Sequence, residues 1–234
     1  MNDLLISPIH LDIVAVLFLY APVVAGTWLA WDSTRPLRVR EVWAALRSSD
    51  ALDRYGCHAA PIRRGLAIAA LALAMLVPVF AVGYVGFYEL VCRSDVLSHP
   101  APRDLCSHYA GVAGVHRPDI LTLAFAEFSL IQLVVVALPE ELFFRGFLLH
   151  LLEQRFPPRR RWWGGGIGIA LVLSAAAFAL IHLPKDGDPR ALATFFPALL
   201  FGWMRSATGS ILASTITHGG ANILVRVLEL SVFR

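Results

Sequence analysis

Three ionisable residues lie inside an apolar run of the sequence that extends from Leu121 to Leu152. They are the adjacent carboxylates Glu140 and Glu141, and Arg145 four positions after the second. A charge at the centre of a membrane helix costs about 2.5–3.5 kcal/mol on insertion scales, so such groups indicate pairing and function. Glu141 precedes Arg145 in the favourable order for a helical ion pair. Glu140 points about 100° away around the helix and is the carboxylate that we expect to do chemistry.

The composition places the chain among integral membrane proteins. Hydrophobic residues make up 57% of the 234 residues, charged residues 16%, and the mean hydropathy is +0.65, which is too apolar for a soluble globule of this length. Apolar stretches that could cross about 30 Å of hydrocarbon cover residues 11–31, 65–91, 121 to the glutamate pair, 163–183 and 210–232, with a shorter one at 191–204. We expect an all-α, multi-pass transmembrane helical bundle with about six spans, in which the short stretch is either a span or a re-entrant helix.

The expected organisation is one integrated membrane domain with two parts. Residues 1–119 would supply two N-terminal transmembrane helices, a basic cytoplasmic connector and an outer loop, and residues 120–234 a helical catalytic core. Residues 1–10 contain no Lys or Arg, so the basic front region of a signal peptide is missing. We therefore expect the first span to be a retained anchor.

The distribution of arginine predicts the topology. Residues 32–64 contain seven arginines and residues 153–162 contain four, so both connections are predicted to be cytoplasmic. Residues 92–119 contain three, so this connection and the turn at 185–190 are predicted to face outward. The net charge of +3 then reflects topology, because the basic residues flank spans, and we expect the lipid bilayer and no nucleic acid as a partner.

The three cysteines do not form a disulfide framework or a metal motif. Cys92 and Cys106 share the predicted outer connection and are either one disulfide or two free thiols, whereas Cys57 lies on the predicted reducing side. The sequence has no CxxC, no HExxH and no clustered Cys/His spacing. We expect no cofactor, and the sequence shows no local signature of a preassembled zinc site.

Two further polar pairs occur in later spans, each four residues apart and therefore on one helix face. Phe178 and His182 end the fourth span, and the ring can orient the imidazole. His218 and Asn222 project deep in the last span, where polar groups need partners. Each pair also has a purely structural interpretation: an interfacial histidine in the first case, and hydrogen bonding between helices in the second.

Together these residues suffice for hydrolysis by activated water. A glutamate removed from bulk water becomes an effective general base, and a neutral histidine can share the proton or hold the water. Asn and His side chains can donate hydrogen bonds to the oxyanion of a tetrahedral intermediate.

The motif order Glu-Glu-x-x-x-Arg, Phe-x-x-x-His and His-x-x-x-Asn over residues 137–225 resembles the CAAX protease and bacteriocin-processing (CPBP) family of intramembrane glutamate endopeptidases. The resemblance implies that Glu140 activates water with His182, that His218 and Asn222 form the oxyanion hole, and that the remaining motif residues, Glu141, Arg145 and Phe178, support them. It also implies a multi-pass protein of the bacterial inner (cell) membrane. The expected substrate is a protein or peptide with a membrane-associated C-terminal segment, either a prenylated CAAX-type protein or the C-terminal sorting or anchor segment of an exported protein.

Two other interpretations stay open. Glu140, His182 and His218 could instead hold a catalytic zinc ion, although they come from separate helices and Asn222 would have no place among the ligands. Alternatively, a non-enzymatic immunity factor or scaffold could use the same polar cluster to bind a partner.

The predicted spans leave a mismatch in depth. His182 falls at the outer end of the fourth span, whereas Glu140 falls toward the cytoplasmic end of its own span. Pro139 could bend that helix and bring the two residues together. The side from which substrate enters is therefore not fixed by the sequence, and the arginine distribution favours the outer side.

Overall fold

The computed structural model describes residues 16–18, 20–21, 53–93, 103–186 and 189–233. These residues are mostly helical. The predicted first span at 11–31 and the segment 1–10 lie almost wholly outside the described residues. The elements are α1 (Ile62–Arg93), α2 (Arg103–Cys106), α3 (Leu123–Arg155), β1 (Arg160–Trp162), β2 (Gly165–Ile167), α4 (Ile169–Asp186), α5 (Phe195–Thr208) and α6 (Leu212–Val232), with 3-10 turns at Val112–Gly114 and Pro189–Thr194.

Two of the described helices are long and apolar enough to cross a membrane. They are α1, with 32 residues, and α3, with 33 residues. In α4 the apolar part is shorter and covers Ile169–Leu183. The helical membrane class is thus supported, and the total of about six spans stays a prediction.

Helix α3 continues past the glutamate pair, where the sequence analysis ended the span. Two π-helical segments, Gln132–Ala137 and Leu142–Leu148, flank a short α-helical segment, Leu138–Glu141, that carries Pro139. Proline has no N–H to donate to the preceding turn, and a wider turn tolerates that loss without ending the helix. Helix α3 therefore continues through Pro139 and ends at Arg155.

The fourth helix begins at Ile169 and not at Trp163, because an antiparallel hairpin precedes it. The two-residue turn of this hairpin is Trp163-Gly164. Their φ angles of 50° and 87° lie in the left-handed region that such turns require. A Cβ on Gly165 would lie 2.2 Å from the Trp203 indole, so only glycine fits there. The first residues of the predicted span, from Trp163, thus belong to the hairpin that connects α3 to α4, and not to the helix.

The described helices pack into one bundle. Helix α1 lies along α6, and Gly220 of α6 lets Leu73 of α1 approach closely. On the other side, Phe144 of α3 packs with Ala175 and Phe178 of α4 in a buried cluster that also includes Ala198 of α5. The polar motif residues all lie on α3, α4 and α6, which this packing brings together.

The connection between α1 and α3, which is predicted to face outward, is held by contacts near both of its ends. Cys92 and Cys106 form a disulfide, the first of the two alternatives that the sequence left open. Tyr109 pairs with Phe233 in an isolated β-bridge, and its hydroxyl donates to Glu89. Burial raises the pKa of Tyr109 to about 12, so the phenol stays protonated as a donor at neutral pH.

Candidate active site

The predicted ion pair on α3 is present and fully buried. Arg145 Nη1 lies 2.9 Å from Glu141 Oε1, and the exposed fractions of the two side chains are 1% and 0%. The pair joins neighbours one turn apart on the helix, as the sequence spacing predicts. Because no bulk water reaches either group, the two charges must be compensated by each other and by the polar groups around them.

His218 of α6 lies between the two glutamates of α3. Its Nδ1 is 2.9 Å from Glu141 Oε1, and its Nε2 is 3.8 Å from Glu140 Oε2. A carboxylate paired with Arg145 only accepts hydrogen bonds, so Nδ1 carries the proton in this contact. Glu141 therefore sets the tautomer and orientation of His218 and directs Nε2 toward Glu140.

Aromatic rings enclose this polar cluster. The Arg145 guanidinium lies over the Phe178 ring, with Cζ 4.1 Å from the centroid, and also near Phe201 at 5.2 Å. Phe201 stacks on the His218 imidazole at 5.3 Å and an interplanar angle of 18°. The rings exclude water and stabilise the cation. Phe201 carries no motif signal, and sequence reasoning missed it.

His182 is buried and held by its own helix. Its ring lies 4.7 Å from the Phe178 ring, which confirms the predicted packing one turn apart. Its Nδ1 is 2.7 Å from the Phe178 carbonyl, which can only accept, so Nδ1 donates and neutral His182 presents Nε2 as the basic nitrogen. Phe178 also contacts His218 at 5.6 Å and thus joins the two imidazoles through one ring.

Glu140 of α3 and His182 of α4 lie on the same side of a contact that joins the two helices. The mismatch in depth between these two residues, which the predicted spans left open, is therefore removed. Ser174 of α4 donates to the Phe144 carbonyl of α3 at 2.9 Å, and the two helices run antiparallel there. Glu140 is one turn before Phe144, and His182 is two turns after Ser174. Side chains tilt toward the N-terminus of their own helix, so Glu140 points away from the contact and His182 points back toward it. The mismatch arose from the misplaced span limits.

Asn222 has a partner that the sequence analysis did not assign. Its Nδ2 donates to Gln132 Oε1 at 2.9 Å, in a partly buried position one turn beyond His218 on α6. The predicted pair on one face, His218 and Asn222, therefore contacts two different parts of α3. Gln132 was visible only as one more polar residue in an apolar run, without a spacing that identified its role.

Two further features of the described residues concern sites outside the polar cluster. No group of three or more His, Cys, Asp or Glu side chains among these residues is arranged to hold a metal ion. A cavity of about 570 Å³ lies between α1, α6 and the 3-10 turn before α5, next to Tyr84, Arg190 and Glu229. It is lined mainly by apolar side chains, and the motif residues are not among them.

A comparison with known families covers the same helices. Residues 122–224 match the family model described as type II CAAX prenyl endopeptidase Rce1-like. No curated protein and no solved structure matches the chain. The matched range contains the polar clusters on α3, α4 and α6 and the aromatic rings that enclose them. The family is a membrane-embedded family of proteases that act on protein substrates at the membrane. Residues 122–224 therefore support the resemblance of the chain to the CAAX protease and bacteriocin-processing family.

Proposed function

We propose that the protein is an intramembrane endopeptidase that hydrolyses a peptide bond near the membrane surface with water activated by Glu140. The observation that carries the proposal is the buried set of Glu140, His218, Glu141 and Arg145, enclosed by aromatic rings inside the helical bundle. Burying these charged groups carries a large desolvation free energy, and the cluster directs the His218 imidazole toward a second carboxylate, Glu140. Such an arrangement suits proton transfer better than packing alone.

In the proposed first step, Glu140 takes a proton from a water molecule and the water oxygen bonds to the scissile carbonyl carbon. The carbonyl π electrons move to oxygen and give a tetrahedral oxyanion. His182 presents a neutral Nε2 and would share the proton or hold the water. No covalent enzyme intermediate is required.

His218 and Asn222 would donate hydrogen bonds to that oxyanion. The contact of Nδ1 with Glu141 adds a condition: His218 can donate from Nε2 only as an imidazolium, because Nδ1 already carries the first proton. Two carboxylates, at 2.9 and 3.8 Å, would stabilise this cation. The amide of Asn222 has a second N–H, which its bond to Gln132 orients, so Gln132 is a positioning residue in this proposal.

In the second step the oxyanion collapses and the C–N bond breaks. The proton held by Glu140 passes to the departing nitrogen, which leaves as a neutral amine, while the carbonyl product carries the water oxygen. Glu140 returns to its ionised state, so the cycle balances without a metal ion or other cofactor, and we propose none. Stoichiometric zinc in active, chelator-washed protein, with activity lost on its removal, would reverse this part of the proposal.

The proposed substrate is a protein whose C-terminal segment associates with the bilayer. The arginine distribution predicts cytoplasmic 32–64 and 153–162 connections, so we propose a multi-pass orientation in a bacterial cell membrane with substrate access from the outer side. That access favours the anchor segment of an exported protein over a prenylated cytoplasmic one.

The orientation can be tested by thiol labelling on intact cells. Ser33 and Asp188, in the two connections that the arginine distribution assigns to opposite sides, lie outside the described residues. Exposed described positions, His116 in the outer loop and Arg159 before the hairpin, are better sites for single cysteines in a background without Cys57. Labelling by a membrane-impermeant reagent at His116→Cys alone supports outer access, and labelling at Arg159→Cys alone reverses it.

The catalytic assignment is tested with Glu140→Gln in purified protein on a membrane-anchored peptide substrate. We expect cleavage to fall by at least about a thousandfold, because the general base is lost without a change in side-chain shape. Glu127→Gln is the matched control, since Glu127 is exposed on the same helix and the change removes the same charge. Retained cleavage in Glu140→Gln would falsify the assignment.

A further inference from the structure

The hairpin between α3 and α4 is fixed rigidly to two helices. Trp203 of α5 donates its indole N–H to the Trp162 carbonyl at 2.9 Å, and Arg64 at the start of α1 donates to the Trp163 carbonyl at 3.2 Å. A serine hydroxyl of α5 accepts from the backbone of the second strand at 2.9 Å. These bonds use the backbone of the hairpin and leave its side chains directed outward.

The hairpin exposes a large aromatic surface. The exposed fractions of Trp162 and Trp163 are 60% and 70%, and their rings stack at 5.3 Å. Ile167 and, at the start of α1, Ile62 and Leu66 are also exposed, so apolar surface continues from the hairpin onto a helix that could cross the membrane. Indole rings at the end of such a helix are typical of the bilayer interface, where their apolar and polar parts both find partners.

Five exposed arginines lie close to these rings in two segments: Arg63 and Arg64 in the first turn of α1, and Arg159, Arg160 and Arg161 before and within β1. Neither segment, residues 61–68 nor residues 156–168, contains Asp or Glu. Guanidinium groups bind phosphate oxygens through paired N–H donors. A basic cluster with no acidic neighbours in sequence, beside exposed indoles, therefore complements an anionic phosphate at an interface.

Residues 159–167, together with Arg63 and Arg64, are called here the hairpin surface. We propose that the hairpin surface binds the headgroups of anionic phospholipids. The arginines contact the phosphates, while Trp162 and Trp163 insert at the level of the ester groups. The apolar continuation onto α1 favours a lipid over a soluble anion, because a soluble ligand would leave both indoles exposed to water. The proposal does not depend on the catalytic assignment.

The test counts lipids retained by the purified protein. Native mass spectrometry in detergent with equal amounts of phosphatidylglycerol and phosphatidylcholine compares the intact protein with Arg159→Gln/Arg160→Gln. Neither side chain takes part in the hydrogen bonds that fix the hairpin. We expect retention of phosphatidylglycerol to fall about tenfold in the variant, with phosphatidylcholine retention unchanged.

The matched control is Arg54→Gln/Arg117→Gln, which removes the same charge from exposed positions outside the hairpin surface. An equal loss in the control would reduce the effect to net charge and overturn the proposal, as would unchanged retention in the hairpin variant. Unchanged lipid retention with weaker binding to heparin would assign the surface to a soluble acidic partner instead.

A second test uses the unmodified protein and avoids any problem of folding in the variants. Retention of phosphatidylglycerol should fall steeply as salt rises from about 0.1 M to about 1 M, because exposed arginine–phosphate contacts are screened. Retention of phosphatidylcholine should not follow the same course. Salt-independent retention of both lipids would contradict the proposal.

Discussion

Two ion pairs of similar geometry lie in very different regions of the molecule. Arg145 and Glu141 are 2.9 Å apart and fully buried in the polar cluster, whereas Arg226 and Glu229 are 3.2 Å apart with exposed fractions of 47% and 41%. An exposed pair contributes at most about 1 kcal/mol. A buried pair has no net stability advantage over apolar residues, yet breaking it is costly. We interpret the buried pair as one that positions His218, whose Nδ1 contacts the same carboxylate oxygen of Glu141 as Arg145 does.

The comparison is tested most strongly by breaking each pair on one side. Arg145→Leu leaves two buried carboxylates without their cation and removes its contact with the Phe178 ring. We expect a loss of about 3–5 kcal/mol in the free energy of unfolding, measured by thermal denaturation in detergent. Arg226→Gln is the matched control and should cost less than about 1 kcal/mol. Equal effects in both variants would contradict the comparison.

Replacing both members of the buried pair separates stability from function. Glu141→Met/Arg145→Met fills similar volume without charge, so we expect the free energy of unfolding to recover by at least about 2 kcal/mol relative to Arg145→Leu. Cleavage should stay lost, because His218 no longer has the acceptor that orients Nδ1. A double variant that is both stable and active would show that the pair positions nothing.

A smaller effect is expected at the hydrogen bond between Gln132 and Asn222. Gln132→Leu leaves the Asn222 carboxamide without its acceptor, and we expect kcat to fall about tenfold to a hundredfold with little change in KM. Gln132→Glu keeps an acceptor oxygen and should recover part of the activity. Equal activity of the leucine variant and the intact protein would remove Gln132 from the proposed mechanism.

The smallest effect concerns the reactivity of the Cys57 thiol, which is partly buried and lies outside the membrane helices. Burial, and to a lesser degree Asp53, raises the pKa of the Cys57 thiol. A smaller thiolate fraction at about pH 8 should make alkylation of Cys57 slower than that of an exposed cysteine, and the difference should narrow as pH rises. Asp53→Asn should increase the rate slightly, and a decrease would contradict the assigned cause.

Contacts within one helix were predictable from sequence, because the helical period fixes which residues are neighbours. The Glu141–Arg145 pair, the packing of Phe178 on His182 and the exposed Arg226–Glu229 pair all follow from spacings of three or four residues. These spacings also supplied the motifs that carry the resemblance to the CAAX protease and bacteriocin-processing family.

Contacts between helices were not predictable in the same way. The two π-helical segments of α3 shift the phase of its faces, so a regular period of 3.6 residues does not relate Gln132 to Glu140. The stacking of Phe201 on His218 depends on how α5 and α6 pack, which no local spacing encodes. The hairpin was missed because Trp162 and Trp163 extend the apolar run of the fourth span into the connection. Only the structure shows that Gly164 lies at a left-handed turn position and that Gly165 leaves room for Trp203.

The central claim is that adjacent glutamates divide the work, with Glu140 serving chemistry and Glu141 serving architecture. The most direct measurement determines cleavage and thermal stability for Glu140→Gln and Glu141→Gln side by side. The account predicts that Glu140→Gln loses cleavage with its unfolding temperature nearly unchanged, whereas Glu141→Gln loses cleavage and is clearly destabilised, because Arg145 and His218 lose their shared carboxylate. Cleavage retained in Glu140→Gln, or equal destabilisation by both substitutions, would contradict it.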